Sequence, residues 1–292
     1  MAKTVVERFA PSPTGRMHLG HAFSALTAWR AARAAGGRFL LRLEDLDRSR
    51  VREEFARGIE EDLAWLGIDW DGPVLRQSTR VGAYRAALDH LRAAGLVYAC
   101  RCSRRDIAAA TAAPQEGADL PSGPDGPVYP GTCRGLGLAE ADGHALRLDM
   151  ARAVDALGGT RAVEALGFEE IGAGPRNEQG RIALAAARLT EQIGDVVLAR
   201  RDGAVAYHLA VVVDDAHQQV SHVTRGEDLF TATEIHRLLQ ALLGLPVPIY
   251  RHHRLIRDAQ GRRLAKRDDA RALASLRAEG ITPSEIRARL GL

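Results

Sequence analysis

The stretch Thr4-Val5-Val6-Glu7-Arg8-Phe9-Ala10-Pro11-Ser12-Pro13-Thr14-Gly15-Arg16-Met17-His18-Leu19-Gly20-His21 decides how this chain is read. Thr4–Phe9 is rich in β-branched and aromatic residues and predicts a short strand. The Pro, Ser and Gly that follow impose a turn. From His18 to about Ala35 apolar residues return at helical spacing, with Leu19, Phe23, Leu26 and Trp29 on one stripe, until Gly36-Gly37 stops the helix. Arg38–Leu43 is a second strand, and it runs into the acidic cluster Glu44-Asp45-Leu46-Asp47. Strand, turn, helix and strand in so short a span make a βαβ unit, hence a parallel sheet with a right-handed crossover.

A helix that begins just beyond a parallel strand aims its backbone N–H groups and its positive dipole end into the crevice where such sheets bind ligands. His18 and His21, three residues apart, fall on one side of that first turn and can both donate to phosphate oxygens. Gly20 between them would let a flat ring system approach the backbone. No G-x-x-x-x-G-K occurs, so this nucleotide-phosphate site is built differently from a P-loop.

Further along, Val51, Phe55, Ile59, Leu63 and Leu66 share one helical stripe, and Tyr84, Leu88 and Leu91 another. Tyr98–Gly143 changes character: it carries all three cysteines and the Pro/Gly/Ala-rich stretch Ala112–Pro130, and reads as an insertion. Gly167–Gly180 is expected to be a loop. Val196–Arg200 and Val205–Val213, split by Arg201-Asp202-Gly203, are expected to form a hairpin. The apolar run Leu209–Val213 suits a fully buried strand. A helix over Ala232–Leu243, a strand near Val247–Tyr250 and two short helices after Lys266 complete the pattern.

With 292 residues, 46% of them hydrophobic, the chain can bury a large core without staples. A net charge of +3 neither requires nor excludes nucleic acid. No apolar run reaches the ~18 residues of a membrane span, and Met1-Ala2-Lys3-Thr4 lacks a secretory h-region. A cytoplasmic protein with no membrane partner is expected. Of the 40 basic residues only Lys3 and Lys266 are lysine; the skew fits genomic base composition, and it makes Lys266 stand out. Cys100, Cys102 and Cys133 are a poor disulfide framework but suit a metal. Three thiolates leave zinc one ligand short, and His144 is one candidate for the fourth. A segment so poor in core residues also needs a cross-link.

His18-Leu19-Gly20-His21 resembles the HIGH signature of class I aminoacyl-tRNA synthetases, and Arg8–Gly15 is similar to the stretch that precedes it in the glutamyl/glutaminyl branch. Arg263-Leu264-Ala265-Lys266-Arg267 resembles the second signature, KMSKS, with Arg263 in place of its first lysine and Ala265 in place of its serine. The likeness extends through Glu44-Asp45, Tyr207–Asp215 and Val223–Asp228, in the right order. It implies an α/β fold: a Rossmann-type nucleotide-binding domain with an inserted zinc-binding, acceptor-like subdomain and a short helical C-terminus. The implied boundaries are 1–97 and 205–262 for the two Rossmann halves, 98–204 for the insertion, and 263–292 for the KMSKS-like loop and final helices.

Such an enzyme is a ligase. It activates an amino acid by in-line attack of the carboxylate on the α-phosphate of ATP, supplied with Mg²⁺, and needs positioning and fixed donors rather than a nucleophile of its own. His18 and His21 suit the phosphoryl oxygens, with Gly20 in the same ATP site. Lys266 suits the leaving pyrophosphate, and the adjoining Asp258-Ala259-Gln260-Gly261 is expected to close on ATP. Loss of a hydroxyl at Ala265 would weaken that loop's contribution. A glutamate substrate carries two carboxylates and an ammonium. Arg8 and Arg225 are the candidate forks for the carboxylates, Glu44 the anion for the ammonium, and Ser12 and Tyr207 neutral partners; the resemblance implies the same five positions. Such a site favours glutamate over glutamine, because an uncharged side chain leaves its charges unpaired. The resemblance also points to Tyr129, rather than His144, as fourth ligand to one structural zinc held by Cys100, Cys102 and Cys133.

Only residues 267–292 follow Lys266. Two short helices can touch a nucleic acid but cannot form an anticodon-binding domain. In this the chain resembles the shortened family of glutamyl-queuosine tRNA(Asp) synthetases, which place glutamate on the queuosine at the wobble position. That likeness implies a monomer that docks the anticodon stem-loop of tRNA(Asp) in its active site, through phosphate contacts and splayed bases. The alternatives are a minimal glutamyl-tRNA synthetase charging a 3′ end, and a regulatory protein that keeps the fold without catalysis.

Overall fold

The computed structural model describes residues 4–111, 122–124, 126–257 and 271–292. The first unit forms as its sequence pattern dictates: β1 (Val6–Phe9), α1 (Leu19–Ala34) and β2 (Arg38–Leu43), with β1 and β2 parallel in the register Val6↔Arg38 to Phe9↔Leu41. After α2 (Glu53–Trp65), the two-residue β3 (Leu75–Arg76) adds to β2, and α3 (Val81–Ala93) follows. β4 (Val97–Cys100) leads to α4 (Arg104–Thr111), the small ribbon β5 (Ser122–Gly123) and β6 (Gly126–Pro127), and β7 (Ala145–Leu148). α5 (Met150–Ala156) and α6 (Thr160–Ala165) precede β8 (Gly167–Glu170), β9 (Gly180–Ala183) and β10 (Val197–Ala199). The chain ends through α7 (Tyr207–His217), β11 (His222–Gly226), α8 (Phe230–Leu242), β12 (Ile249–His253), α9 (Leu273–Ala278) and α10 (Pro283–Leu290).

β11 and β12 are parallel, and β11 lies beside β1: Ser221 donates its N–H to Val6 O at 3.0 Å, and Val6 N–H donates to Ser221 Oγ at 2.8 Å. The carboxyl ends of β1, β2 and β11 therefore open on one crevice, the position where such sheets bind ligands. β10, β7 and β4 form a separate antiparallel sheet in that order.

Three expectations fail. Leu209–Val213 is not a strand but the centre of α7. Leu209, Ala210, Val211 and Val212 are all buried, so the run carries no amphipathic period, and a buried helix then looks like a buried strand. Only Val197–Ala199 of the expected hairpin is strand, with Ala199 bridging Val205 across the turn. Gly167–Gly180 is not one loop either. Its ends pair as β8 and β9, from Gly167↔Ala183 to Glu170↔Gly180, because Phe168 and Glu170 alternate inward on β8.

The two C-terminal helices are core rather than appendage. Leu273, Leu276, Ile286 and Leu290 pack into the same cluster as Phe23, Leu26, Leu63 and Leu66, and burying each is worth roughly 1.5–3 kcal/mol. Leu273 N–H also donates to Met17 O at 2.8 Å, and His18 and Ala272 form a β-bridge, so the exit of the KMSKS-like segment is pinned to the start of α1. Arg263, Ala265, Lys266 and the stretch 258–261 lie outside the described residues.

Candidate active site

α1 begins with reciprocal caps. His18 Nδ1 accepts from Gly20 N–H at 3.1 Å, and His21 Nδ1 accepts from His18 N–H at 3.2 Å. A neutral ring that accepts at Nδ1 carries its proton on Nε2, so both imidazoles hold the same tautomer, with centroids 3.9 Å apart. The flat ring packed closest over Gly20 is that of His18 itself: a Cβ built on Gly20 would stand 3.0 Å from Cε1 and 3.1 Å from Nδ1. This sets two effects against each other in Gly20→Ala. Alanine gains up to about 1 kcal/mol of helix propensity, while the displaced cap costs about 1 kcal/mol. The expected result is a melting temperature within about 2 °C of wild type with ATP–pyrophosphate exchange lowered about tenfold. An unchanged rate would detach the ring position from activity.

Beside this turn the carboxyl ends of the strands carry a buried charge cluster. Arg8 Nε donates to Asp215 Oδ1 at 3.1 Å, and Arg42 Nη1 donates to the same oxygen at 2.8 Å. Arg42 Nη2 lies 3.6 Å from Glu44 Oε1. Burial opposes the charge of Arg42, but Asp215, Glu44 and Asp214 outweigh it and raise its pKa. Burial pushes the Glu44 carboxyl up to about 7, against the pull of Arg42 and Arg8. Glu44 N–H donates to Pro11 O at 3.0 Å, which sets the Ser12 loop, itself exposed, against the end of β2. Arg42 and Asp215 carry no role in the sequence reading; one more arginine among 38 gives no signal.

Arg225, on β11, sits in different surroundings. Its Nη1 donates to the Tyr207 hydroxyl at 3.3 Å and to His236 Nδ1 at 3.2 Å. Its Nε donates to His252 Nε2 at 3.2 Å, and its Nη2 to Thr233 Oγ1 at 2.7 Å and Leu229 O at 3.3 Å. No carboxylate pairs with it among the described residues. Arg8, by contrast, already has Asp215. Burial raises the Tyr207 pKa, and the charges of Arg225, Glu44 and Arg8 all act on that hydroxyl, so these four side chains share one site.

The Cys100, Cys102 and Cys133 sulfurs lie within 4.8 Å of one another. Cys102 and Cys133 Sγ are 3.5 Å apart, close to the ~3.8 Å of two thiolates on tetrahedral zinc. The Tyr129 hydroxyl is 3.3 Å from Cys100 Sγ and 3.6 Å from Cys102 Sγ, and accepts from Cys133 N–H at 2.8 Å. Burial works against a Cys133 thiolate, but bonds from Tyr129, the Arg101 backbone and the other thiols bring its pKa down to about 7. His144 stands apart, its Nδ1 3.2 Å from Ala139 O. The donor set fits a soft tetrahedral metal. A cavity of about 880 Å³ runs from this cluster to α7, lined by Cys102, Arg104, Tyr129, Arg147, Tyr207 and His208.

The model of the catalytic domain of class I tRNA synthetases (E and Q) matches residues 4–121 and 179–292. A glutamyl-Q tRNA(Asp) synthetase of Rhodobacter capsulatus is 57% identical over 288 residues, 99% of this chain and all of the relative. The chain belongs to this family. A glutamyl-Q tRNA(Asp) synthetase of Nocardia farcinica is 45% identical over 97% of the chain and 82% of its own length. The family makes the chain a ligase of the aminoacyl-tRNA synthetase type. The crystal structure of a glutamate-tRNA synthetase from Elizabethkingia anophelis superposes with a TM-score of 0.71 and 27% identity, covering 91% of this chain and 53% of that one. The chain thus spans about half of that longer relative. A methionyl-tRNA synthetase of Mycobacterium tuberculosis, at 12% identity and a TM-score of 0.62, shares the fold. No helix among the described residues is long and apolar enough to cross a membrane.

Proposed function

We propose that the chain activates L-glutamate with ATP and Mg²⁺ and transfers the glutamyl group to the queuosine at the wobble position of tRNA(Asp), leaving the 3′ end uncharged. The observation that carries the amino-acid assignment is Arg225, a guanidinium only 5% exposed whose described partners are all neutral. A buried cation without a counter-charge is costly, and a substrate carboxylate removes the cost. Glu44 receives the ammonium, Arg8 the second carboxylate, and Ser12 and Tyr207 lend hydroxyls. The relatives' shared name supports the acceptor.

In the first step a carboxylate oxygen of glutamate attacks the α-phosphorus, the bond to the β-phosphate oxygen breaks, and pyrophosphate leaves. His18 and His21, with their protons on Nε2, donate to the phosphoryl oxygens as charge accumulates, and Lys266 meets the pyrophosphate. In the second step the nucleoside's acceptor group attacks the acyl carbon and AMP leaves. The anticodon stem-loop of the RNA reaches Tyr207 through the cavity beside the cysteine module. In this reading residues 98–204 are the insertion between the halves 1–97 and 205–262, residues 263–292 close the chain, and the protein works as a cytoplasmic monomer.

The deciding experiment incubates the protein with labelled glutamate, ATP and queuosine-containing tRNA(Asp), and locates the label by mass spectrometry of nuclease fragments. Label in the anticodon fragment is expected. Label on the terminal adenosine establishes the 3′-charging alternative instead, and absence of adenylate removes the activity altogether.

Cys100, Cys102, Cys133 and Tyr129 would hold one structural zinc, which supplies a cross-link to a segment with little core. Protein purified without chelator is expected to carry about one zinc per chain, and Cys100→Ser well below half of that. Equal metal content in both would remove the site.

A further inference from the structure

The shell around Arg225 is built from groups able to accept a hydrogen bond without supplying a negative charge. An arginine only donates, so each contact fixes the tautomer of its partner. His236 Nδ1 accepts from Nη1, hence its proton sits on Nε2 and is given to His208 Nδ1, 3.1 Å away. His252 Nε2 accepts from Nε, hence its proton sits on Nδ1 and is given to Glu170 Oε2 at 2.5 Å. Glu170 thus stands one imidazole further out, and its oxygens are occupied by that ring and by the N–H groups of His252 and Gly172. Protonating either ring would place a donor against a donor. Burial and the nearby Arg225 charge both lower the His236 pKa well below its ordinary value. His252 is lowered too, by burial first, despite Glu170. Thr233, fully buried, completes the set with a hydroxyl.

We propose that His236, His252 and Thr233, with His208 behind them, are positioning and specificity-determining residues: they orient Arg225 while denying it an internal counter-charge, so that the substrate's carboxylate is the anion that completes the site. This inference rests on Arg225 as a glutamate ligand, and it goes further by assigning the selection of a carboxylate over an amide to the neutrality of groups that never touch the substrate. A carboxylate in place of either ring would satisfy Arg225 from within, and the site would then bind glutamate little better than glutamine.

Two isosteric pairs separate charge from shape. Asn and Asp both put an oxygen where His236 has Nδ1; Gln and Glu do the same for His252 Nε2. ATP–pyrophosphate exchange is measured for wild type, His236→Asn, His236→Asp, His252→Gln and His252→Glu, with glutamate and ATP varied in turn and thermal melts confirming folding. The neutral variants are expected to raise the glutamate KM no more than about fivefold. The acidic ones are expected to raise it at least tenfold beyond their neutral twins, with the ATP KM within about twofold of wild type and the preference for glutamate over glutamine reduced. An acid-to-neutral ratio below ten, or a parallel rise in the ATP KM, overturns the proposal, and either pair that folds decides it. Wild-type protein that forms no glutamyl-adenylate removes the glutamate assignment itself. Normal wild-type exchange with equal behaviour of the twins removes only the role of the shell.

Discussion

Asp215→Asn is expected to cost about 3–5 kcal/mol of stability, the loss typical when one member of a buried ion cluster is removed. The carboxylate is 6% exposed and holds two guanidiniums through a single oxygen, Arg8 Nε at 3.1 Å and Arg42 Nη1 at 2.8 Å. Asparagine keeps the shape but removes the one carboxylate that bonds both Arg8 and Arg42, leaving them the charge of Glu44 and, for Arg42, that of Asp214. A urea midpoint lower by about 1–2 M is the expected reading. The sign of the pH dependence follows from Asp215 as well. Burial opposes its charge, but Arg8 and Arg42 outweigh burial and hold the carboxyl below the usual carboxylate range. A depressed acid contributes stability that is complete above the unfolded value of about 4 and is lost only as pH falls through the folded one. The gap between wild type and variant should therefore be flat from pH 8 to about 5 and narrow below about 4. A gap that closes near neutrality would mean that Glu44, not Asp215, sets the charge of the cluster.

Asp215 also marks where sequence reading stops. The first βαβ unit was legible because each of its signals is local: a β-rich hexamer, a Pro/Ser/Gly turn, a helical stripe and a Gly-Gly stop lie within 40 residues. The side chains singled out from that unit, Arg8, His18, His21 and Glu44, lie at the strand ends and helix start where local rules place them. What gives Arg8 its partner is not local: Asp215 stands 207 positions away, and 173 from Arg42. Neighbouring Asp214 faces another way, tying Gln77, Arg80 and Tyr84 of the helical layer, so two adjacent aspartates on one turn brace two different parts of the fold. Period alone could not separate these roles, nor reveal α7 as a helix, because apolar burial around it erased the pattern. The imidazoles behind Arg225 were invisible because their partner, too, is brought to them by the fold. His236 reads as one more residue of an amphipathic helix until β11 brings a guanidinium to it.

Glu44→Gln is expected to divide function from stability. Burial holds the Glu44 carboxyl near 7 even with Arg42 and Arg8 beside it, so the folded protein binds a proton there that the unfolded chain releases near 4.5. A raised acid favours folding less as pH climbs from about 4.5 to 7, and the full penalty stands above that. Glutamine copies the protonated form, so at pH 8 the variant should be at least as stable as wild type. Its activity should fall sharply. With the ammonium of glutamate brought into a buried site and left without an anion, a loss of about 3 kcal/mol is reasonable, or more than 100-fold in kcat/KM for glutamate. The pH profile supplies the sharper test, because kcat/KM reports ionisations of the free enzyme. In wild type, kcat/KM for glutamate should rise tenfold per unit below about pH 7 and level off above it. In Glu44→Gln that limb should vanish, leaving a low, flat profile. A variant that loses activity and stability together would make Glu44 a structural partner of Arg42 rather than the group that receives the substrate's ammonium.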